Sequence, residues 1–166
     1  MRISELLAEQ LDGTRAWTLK LLHDLEGSDW HAQPRPGLAH PLWLCGHLAC
    51  AQHLLVHARC LGASILDDAF MAHFPIGAPV KSAEEHDYPP LAEVRRVMDQ
   101  AHGQTLAAIR HMTDGQLAEP AFGKDGAVHP HYKDKRGAVS HCARHEAFHA
   151  GQLATIRRLL GKGFLR

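Results

Sequence analysis

The chain has 166 residues, of which 18 are lysine or arginine and 18 are aspartate or glutamate, so its formal net charge at neutral pH is zero. This balance disfavours nucleic acid and anionic membrane surfaces as partners, because both attract proteins through an excess of positive charge. With this length the chain is most simply a single domain over residues 1–166. The N-terminus lacks the apolar core of a signal peptide and no apolar run is long enough to cross a bilayer, which predicts a cytoplasmic protein. The four cysteines show no C-x-x-C spacing and three of them fall in one predicted helix, so we interpret them as reduced.

Apolar residues at helical spacing predict two helices in the first part of the chain. The first pattern runs from Ile3 to Leu25 and is followed by Gly27, a typical helix stop. The second pattern begins at Pro41, where proline suits a first helical turn, and continues to Leu61. The intervening segment is rich in proline and glycine and therefore predicts a loop.

Two further helices are predicted in the second half of the chain. The third opens after a pair of prolines and spaces its apolar residues three and four apart from Leu91 to Met112, as in the seam of a helix bundle. The fourth pattern runs from Cys142 to Leu160, and Asp134 is the best candidate for its N-cap. Because no segment has the pattern of a strand, we predict an all-α fold, a four-helix bundle.

The connection between the second and third predicted helices permits an unusual topology. Residues 63–88 have little periodicity, and in extended form they could span more than the length of a 20-residue helix, roughly 30 Å. These two helices therefore need not be antiparallel neighbours, and a crossover connection is permitted.

Helical-wheel positions separate three of the 15 histidines from the rest. His47 lies in the apolar stripe of the second predicted helix, and His145 and His149 lie one turn apart on the inward face of the fourth. A buried neutral imidazole needs a donor and an acceptor, so three in one apolar interior are costly unless something occupies the space between them. We therefore predict that one divalent metal ion binds there. A lone inward histidine such as His47 also fits a simple core role.

Other polar residues near these positions receive different interpretations. His53 and His57 also stand four apart, but they fall at the edge of the apolar stripe and we interpret them as surface residues. His129 and His131 belong to a loop, where solvated polar residues are usual, and lining the mouth of the site is the alternative. Cys142 lies one turn before the histidine pair, so it is a further candidate to approach the metal.

The stretch HEAFH matches the H-E-x-x-H signature of zinc proteases, in which two histidines bind the metal and the glutamate, here Glu146, is the general base. Common proteases of this type take their third ligand from downstream of the motif. The segment after His149 contains no histidine, cysteine, aspartate or glutamate. The third ligand must therefore come from upstream, and a protease becomes the minor alternative.

Two motifs, found together, carry a family resemblance. The stretches PLWLCGHLACAQHLL and HEAFHAGQLATIRRLLG are similar to the W-x-x-G-H and H-x-x-x-H-x-G-Q motifs on the second and fourth helices of the DinB-like (DNA-damage-inducible, DinB/YfiT) four-helix-bundle metalloproteins. By this resemblance His47, His145 and His149 form the metal triad and Glu146 is not a ligand. The resemblance also implies an up-down-down-up bundle with a long crossover between helices two and three. Because family members are often homodimers, a homodimer is a further expectation.

The resemblance implies metal-dependent chemistry on a small-molecule substrate. Three imidazoles leave coordination positions open, and the metal can lower the pKa of bound water or hold a thiol as thiolate. Because similar proteins include transferases that use low-molecular-weight thiols, we predict a low-molecular-weight-thiol S-transferase. The alternatives are a hydrolase using a metal-bound hydroxide and a non-catalytic metal-binding stress protein. Zinc, nickel, iron and manganese all accept imidazole, so the identity of the metal stays open.

Overall fold

Four long helices form the protein in the computed structural model, which describes residues 1–123 and 126–165. In chain order the α-helices are α1 Ile3–Leu22, α2 Pro41–Gln52, α3 Asp68–Ala72, α4 Leu91–His111, α5 Asp114–Leu117 and α6 Lys135–Leu159. A 3₁₀ helix, Gly27–His31, precedes α2, and a π-helical segment, His53–Leu61, continues it. Within the two described ranges there are isolated β-bridges but no strand, which confirms the all-α fold class. No helix there is both long and apolar enough to cross a membrane.

The first and last helices of the bundle lie side by side and run in the same direction. α1 packs against α4 and α6, and α2 packs against the same two helices. Near the end of α6, Arg157 donates a hydrogen bond of 2.8 Å to the carbonyl oxygen of Leu21, near the end of α1. Since the two C-terminal ends meet, α1 and α6 are parallel.

The crossover makes α2 and α4 parallel as well. Gln52 contacts His102, and His57, further along the same helical segment, contacts Thr105, so the residue numbers rise together along the two helices. Residues 62–90, which include α3, form the connection that returns the chain to the end of the bundle at which α2 begins. The predicted up-down-down-up four-helix bundle with a long crossover is therefore confirmed.

Two helix boundaries differ from the predicted ones. α1 ends at Leu22, although Leu25 is still buried in the core and so continues the apolar signal beyond the helix. α6 begins at Lys135, well before the first apolar residue of the predicted pattern. Its predicted N-cap is confirmed, because the carboxylate of Asp134 accepts the Gly137 N–H over 2.8 Å.

The second predicted helix changes its winding after Gln52. From His53 to Leu61 the backbone is π-helical rather than α-helical. A π-helix has more residues per turn, so side chains after Gln52 point in other directions than an α-helical wheel assigns to them. The interpretation of His53 and His57 as surface residues is therefore wrong, because both are buried.

These two histidines connect the π-helical segment to its surroundings. The Nδ1 atom of His53 accepts the Ile65 N–H over 3.2 Å. The Nε2 atom of His57 lies 3.1 Å from the hydroxyl oxygen of Thr105 on α4. Burial lowers the pKa of both imidazoles, so they serve the packing as neutral rings.

Two hydrophobic clusters fill the bundle, one toward each end. The first cluster includes Leu21, Trp30, Leu44, Phe74, Met98 and Leu153. The second cluster includes Leu11, Leu55, Ile109, Leu117, Val139 and Cys142. Every residue of α2 is buried, so this helix lies at the centre of the packing rather than on one side of it.

The crossover packs directly on the backbone of α2 at Gly46. The ring of Phe74, which is fully buried, occupies the space that a Cβ atom at this position would need. The close approach therefore requires glycine immediately before His47, and it fixes the crossover against the helix that carries the first of the three clustered histidines.

We expect Gly46→Ala to lower the free energy of unfolding by about 1–3 kcal/mol, because the added methyl group overlaps a ring that cannot move aside. Gly46→Ala should cost less when position 74 is already leucine, because the smaller side chain leaves room for the methyl group. The double variant Gly46→Ala/Phe74→Leu is therefore compared with Phe74→Leu alone. Gly103→Ala is the matched control: a Cβ there meets no atom within 4 Å, and the helix should gain about 0.5–1 kcal/mol. Urea unfolding of the wild type and the four variants provides the measurement, and equal effects at positions 46 and 103 would contradict the packing argument.

Candidate metal centre

The structure brings the three predicted histidines together, His47 from α2 and His145 and His149 from α6. The Nε2 atom of His145 lies 3.2 Å from that of His47 and 3.1 Å from that of His149. One ligand atom from each ring lies within 4.8 Å of the other two. Over residues 1–123 and 126–165, no cysteine or carboxylate joins this group. We call it the three-histidine group.

All three imidazoles are neutral at pH 7, the form that offers a lone pair to a metal. Burial lowers the pKa of His47 to about 3 and that of His145 to about 4, and the neighbouring histidines add to the effect. Burial also lowers the pKa of His149, although the hydrogen bond to Gln152 acts in the opposite direction.

The spacing of the nitrogen atoms fits a single metal ion. Tetrahedral zinc binds imidazole nitrogen at about 2.0–2.1 Å, which places two such nitrogens roughly 3.4 Å apart. The two Nε2 separations of 3.1 and 3.2 Å are close to this value. A ring proton can bridge only one pair of nitrogens, whereas one cation interacts with all three lone pairs at once. The donor set is therefore suited to bind a divalent metal ion.

Neighbouring side chains orient two of the rings. The His47 ring stacks on Trp43, with ring centroids 4.5 Å apart and planes inclined by 12°. The Nδ1 atom of His149 lies 2.7 Å from Oε1 of Gln152, so this nitrogen donates and Nε2 keeps its lone pair. Such a partner fixes the tautomer of a metal-binding histidine. The helical wheel places Gln152 on the same face as His145 and His149, and the H-x-x-x-H-x-G-Q motif contains it, but sequence reasoning did not assign it this role.

Glu146, between the two histidines of α6, is held away from the three-histidine group. Its carboxylate accepts hydrogen bonds from Nε of Arg15 over 2.6 Å and from Nη2 over 3.2 Å, and Gln52 donates a third over 3.1 Å. The side chains of the ion pair are only 1% and 3% exposed. A carboxylate whose two oxygens are both engaged by a buried guanidinium cannot serve as a general base, which opposes the protease alternative.

The ion pair belongs to a polar layer that links all four long helices and lies between the two hydrophobic clusters. Four of its five residues are buried, and Asp12 is exposed at the edge. The amide of Gln52 also lies 3.3 Å from Nδ1 of His102, whose Nε2 lies 3.1 Å from the carboxylate of Asp12. We use the name polar layer for Asp12, Arg15, Gln52, His102 and Glu146. Sequence reasoning missed the layer, although Arg15 stands four residues after Leu11, in line with the apolar face of α1.

The cysteines lie outside the three-histidine group. All four are free thiols, as predicted, and all are buried. Burial raises the pKa of Cys45 and Cys50 to about 12 and that of Cys60 to about 11. Cys142, the candidate to approach the metal, instead packs in the second hydrophobic cluster, and burial raises the pKa of its thiol too. None of these thiols is therefore placed or ionised as a metal ligand.

A row of aromatic rings leads from the loop before α6 to the three-histidine group. Ring centroids are 4.5 Å apart between His129 and Tyr132, 5.3 Å between Tyr132 and His141, and 5.8 Å between His141 and His145. His131 contacts His129 at the far end, with 5.7 Å between the ring centroids. Of the two readings of the loop histidines, this arrangement favours the one in which they border the approach to the site.

Comparisons with known proteins agree with this architecture. The DinB superfamily matches residues 10–153, and the chain belongs to that superfamily. A conserved protein from Enterococcus faecalis superposes with a TM-score of 0.65 at 17% identity, covering 98% of this chain and 99% of that one. YfiT from Bacillus subtilis, described as a probable metal-dependent hydrolase with an unusual four-helix bundle topology, superposes with a TM-score of 0.67 at 14% identity, covering 96% and 89%. No curated protein matches the chain significantly in sequence.

Elemental analysis of untagged protein should find one divalent metal ion per chain. Metal affinity should fall by at least tenfold in each of the variants His47→Ala, His145→Ala and His149→Ala, because two imidazoles bind a metal far less tightly than three. The matched control is His73→Ala, which removes a half-buried histidine that is not a member of the three-histidine group. Full metal content in all three variants would mean that the ion binds elsewhere.

A double-mutant cycle tests the buried ion pair. Glu146→Gln should lower the free energy of unfolding by about 3–5 kcal/mol, because it leaves the Arg15 guanidinium buried without a counter-charge. The double variant Arg15→Met/Glu146→Leu should be less destabilised than Glu146→Gln alone, since it removes both charges. Additive losses would show that the two side chains do not depend on each other. Chemical denaturation of the wild type, of Arg15→Met, Glu146→Leu and the double variant that combines them, and of Glu146→Gln provides the measurement.

Proposed function

We propose that this protein is a metal-dependent enzyme that transfers a low-molecular-weight thiol to an electrophilic small molecule. The observation that carries the proposal is the convergence of three neutral imidazoles, from His47, His145 and His149, with no fourth protein ligand among the residues described. When bound there, a divalent metal with open coordination positions would lower the pKa of a thiol or water from solution.

The chain's own side chains favour a nucleophile that comes from solution. Every cysteine is buried with a raised pKa, so none supplies a thiolate. Glu146 is engaged by Arg15, and no other carboxylate joins the three-histidine group within the described ranges. A thiol that loses its proton on binding needs no protein base, whereas hydrolysis also requires proton transfer at the leaving group. This difference favours thiol transfer.

The transfer is balanced without a redox partner. The thiol proton passes to solvent, the sulfur forms a carbon–sulfur bond, and the leaving group departs with the electron pair of the bond that breaks. The contribution of the protein is to hold the three imidazoles neutral, to fix the tautomer of His149 through Gln152, and to keep His47 stacked on Trp43.

A hydrolase is the second candidate, and two observations favour it. The similar structure of YfiT is described as that of a probable metal-dependent hydrolase. His141, one turn before His145, is half-buried with its ring 5.8 Å from the His145 ring, and burial lowers its pKa. In this reading a neutral His141 accepts the proton of the attacking water.

Conjugation of thiols to chlorodinitrobenzene, compared with ester hydrolysis without thiol, decides between the two candidates. For a transferase we expect thiol-dependent turnover that is lost in His149→Ala, together with hydrolysis at the background rate. Ester cleavage that needs the metal but no thiol would instead establish the hydrolase, and turnover that persists in His149→Ala would refute both.

Removing the metal with a chelator should abolish turnover while the helical circular dichroism signal stays largely unchanged. The reason is that the two hydrophobic clusters supply a core of a size that does not need a metal to fold. Re-addition of zinc, nickel, iron or manganese, one at a time, then identifies the ion that restores activity. Simultaneous loss of helicity and turnover would indicate a structural metal.

A further inference from the structure

Arg59, in the π-helical segment, is a half-buried cation with no carboxylate partner among the residues that the structure describes. Its guanidinium also has no hydrogen-bond partner in that part of the chain. Its Cζ atom lies over the Tyr132 ring, 5.6 Å from the centroid. The fully buried arginines, Arg15 and Arg157, each bind a carboxylate. Arg59 therefore differs from them, since no carboxylate in the described ranges pairs with it.

The guanidinium of Arg59 stands beside the approach to the three-histidine group. Tyr132, beneath it, is 5.3 Å from the His141 ring, and that ring is 5.8 Å from His145. The guanidinium groups of Arg59 and Arg144 both lie close enough to the His141 ring for their charges to act on it, so this side of the three-histidine group carries positive charge.

Two acidic side chains described in the neighbouring segments are already engaged. Asp134 caps α6 and pairs with Arg136 over 2.9 Å. Glu119 pairs with Lys135 over 2.6 Å. A half-buried cation is less well solvated than a surface cation, so it gains more free energy from a partner of opposite charge. Arg59 is therefore suited to bind an anion from solution.

We infer that Arg59, with Tyr132 and His141 beside it, binds a carboxylate of the small molecule that reacts at the three-histidine group. The inference rests on the proposed function, and the carboxylate belongs either to the thiol or to its electrophilic partner. Arginine suits this role because its planar guanidinium binds a carboxylate through two parallel hydrogen bonds. The cation–π contact with Tyr132 holds the guanidinium near the ring, so less freedom is lost when the carboxylate binds.

The spacing of the rings also limits which carboxylates fit. Two ring-to-ring steps, of 5.3 and 5.8 Å, separate Tyr132 from His145. A ligand that contacts both ends must place its carboxylate several bonds away from its reacting atom. Short acids such as mercaptoacetate should therefore bind no better than their neutral analogues.

Calorimetric titration of zinc-loaded protein tests the inference without requiring turnover. The thiol arm compares mercaptohexanoate with mercaptohexanol, and the electrophile arm compares chloronitrobenzoate with the corresponding benzamide. In at least one arm, wild type should bind the carboxylate about tenfold more tightly than its neutral analogue, a ratio worth about 1.4 kcal/mol. Arg59→Gln should abolish this preference and leave the affinity for the neutral probe unchanged.

The controls separate a specific site from general charge. Arg35→Gln removes an exposed arginine from the loop before α2, and it should keep the wild-type preference. Arg59→Lys, which keeps the charge but not the planar fork, should keep a reduced preference. If Arg59→Gln does not fold, Arg59→Met replaces it, because its apolar stem can still cover the Tyr132 ring.

The outcomes distinguish the inference from the proposed function. A preference in the thiol arm assigns the carboxylate to the thiol, and one in the electrophile arm assigns it to the electrophile. Equal binding of charged and neutral probes by wild type in both arms, or a preference that survives in the neutral Arg59 variant, overturns the inference. An Arg59-dependent preference in a protein that conjugates no thiol would refute the proposed function alone.

Discussion

The buried ion pair between Arg15 and Glu146 is the constraint on which the arrangement of the bundle depends. Withdrawing two charges from water costs several kcal/mol for each ion, and only a well-bonded geometry offsets that cost. Both carboxylate oxygens and three guanidinium nitrogens are bonded, which fixes the rotation of α1 and α6 about their axes. Because Glu146 lies between His145 and His149, the same contact turns those two histidines toward α2.

The centre of the bundle thus combines two kinds of polar burial with different purposes. In the polar layer both charges of the ion pair are matched, and the Gln52 amide nitrogen contacts Glu146 and His102. In the three-histidine group the neutral rings point their nitrogens at a common space. The ion pair of the polar layer orients the α6 histidines of the three-histidine group. On the α2 side, His47 is held by its contact with Trp43 and by the packing of Phe74 on Gly46.

Much of this could be predicted from the sequence, because helical periodicity marks both the four helices and the inward faces that carry the clustered histidines. The helical wheel gave the wrong burial for His53 and His57 because it assumes α-helical winding. The segment that carries them is π-helical, and this winding changes the directions of the side chains. The wheel also missed the polar layer, since it assigns a face but not the distant partner that makes a buried charge tolerable. That Arg59 meets no carboxylate among the described residues likewise depends on contacts between segments remote in sequence.

The parallel arrangement of α1 and α6 has a consequence for re-engineering the chain. The start of α1 and the end of α6 lie at opposite ends of the bundle, and α6 alone has 25 residues, about 37 Å in length. Joining these ends to make a circular permutant would require a linker that runs along the whole outer surface. In an antiparallel up-down-up-down bundle a short turn would be enough. Conversely, two domains fused to the two ends of this bundle would be held apart, with the bundle acting as a rigid spacer between them.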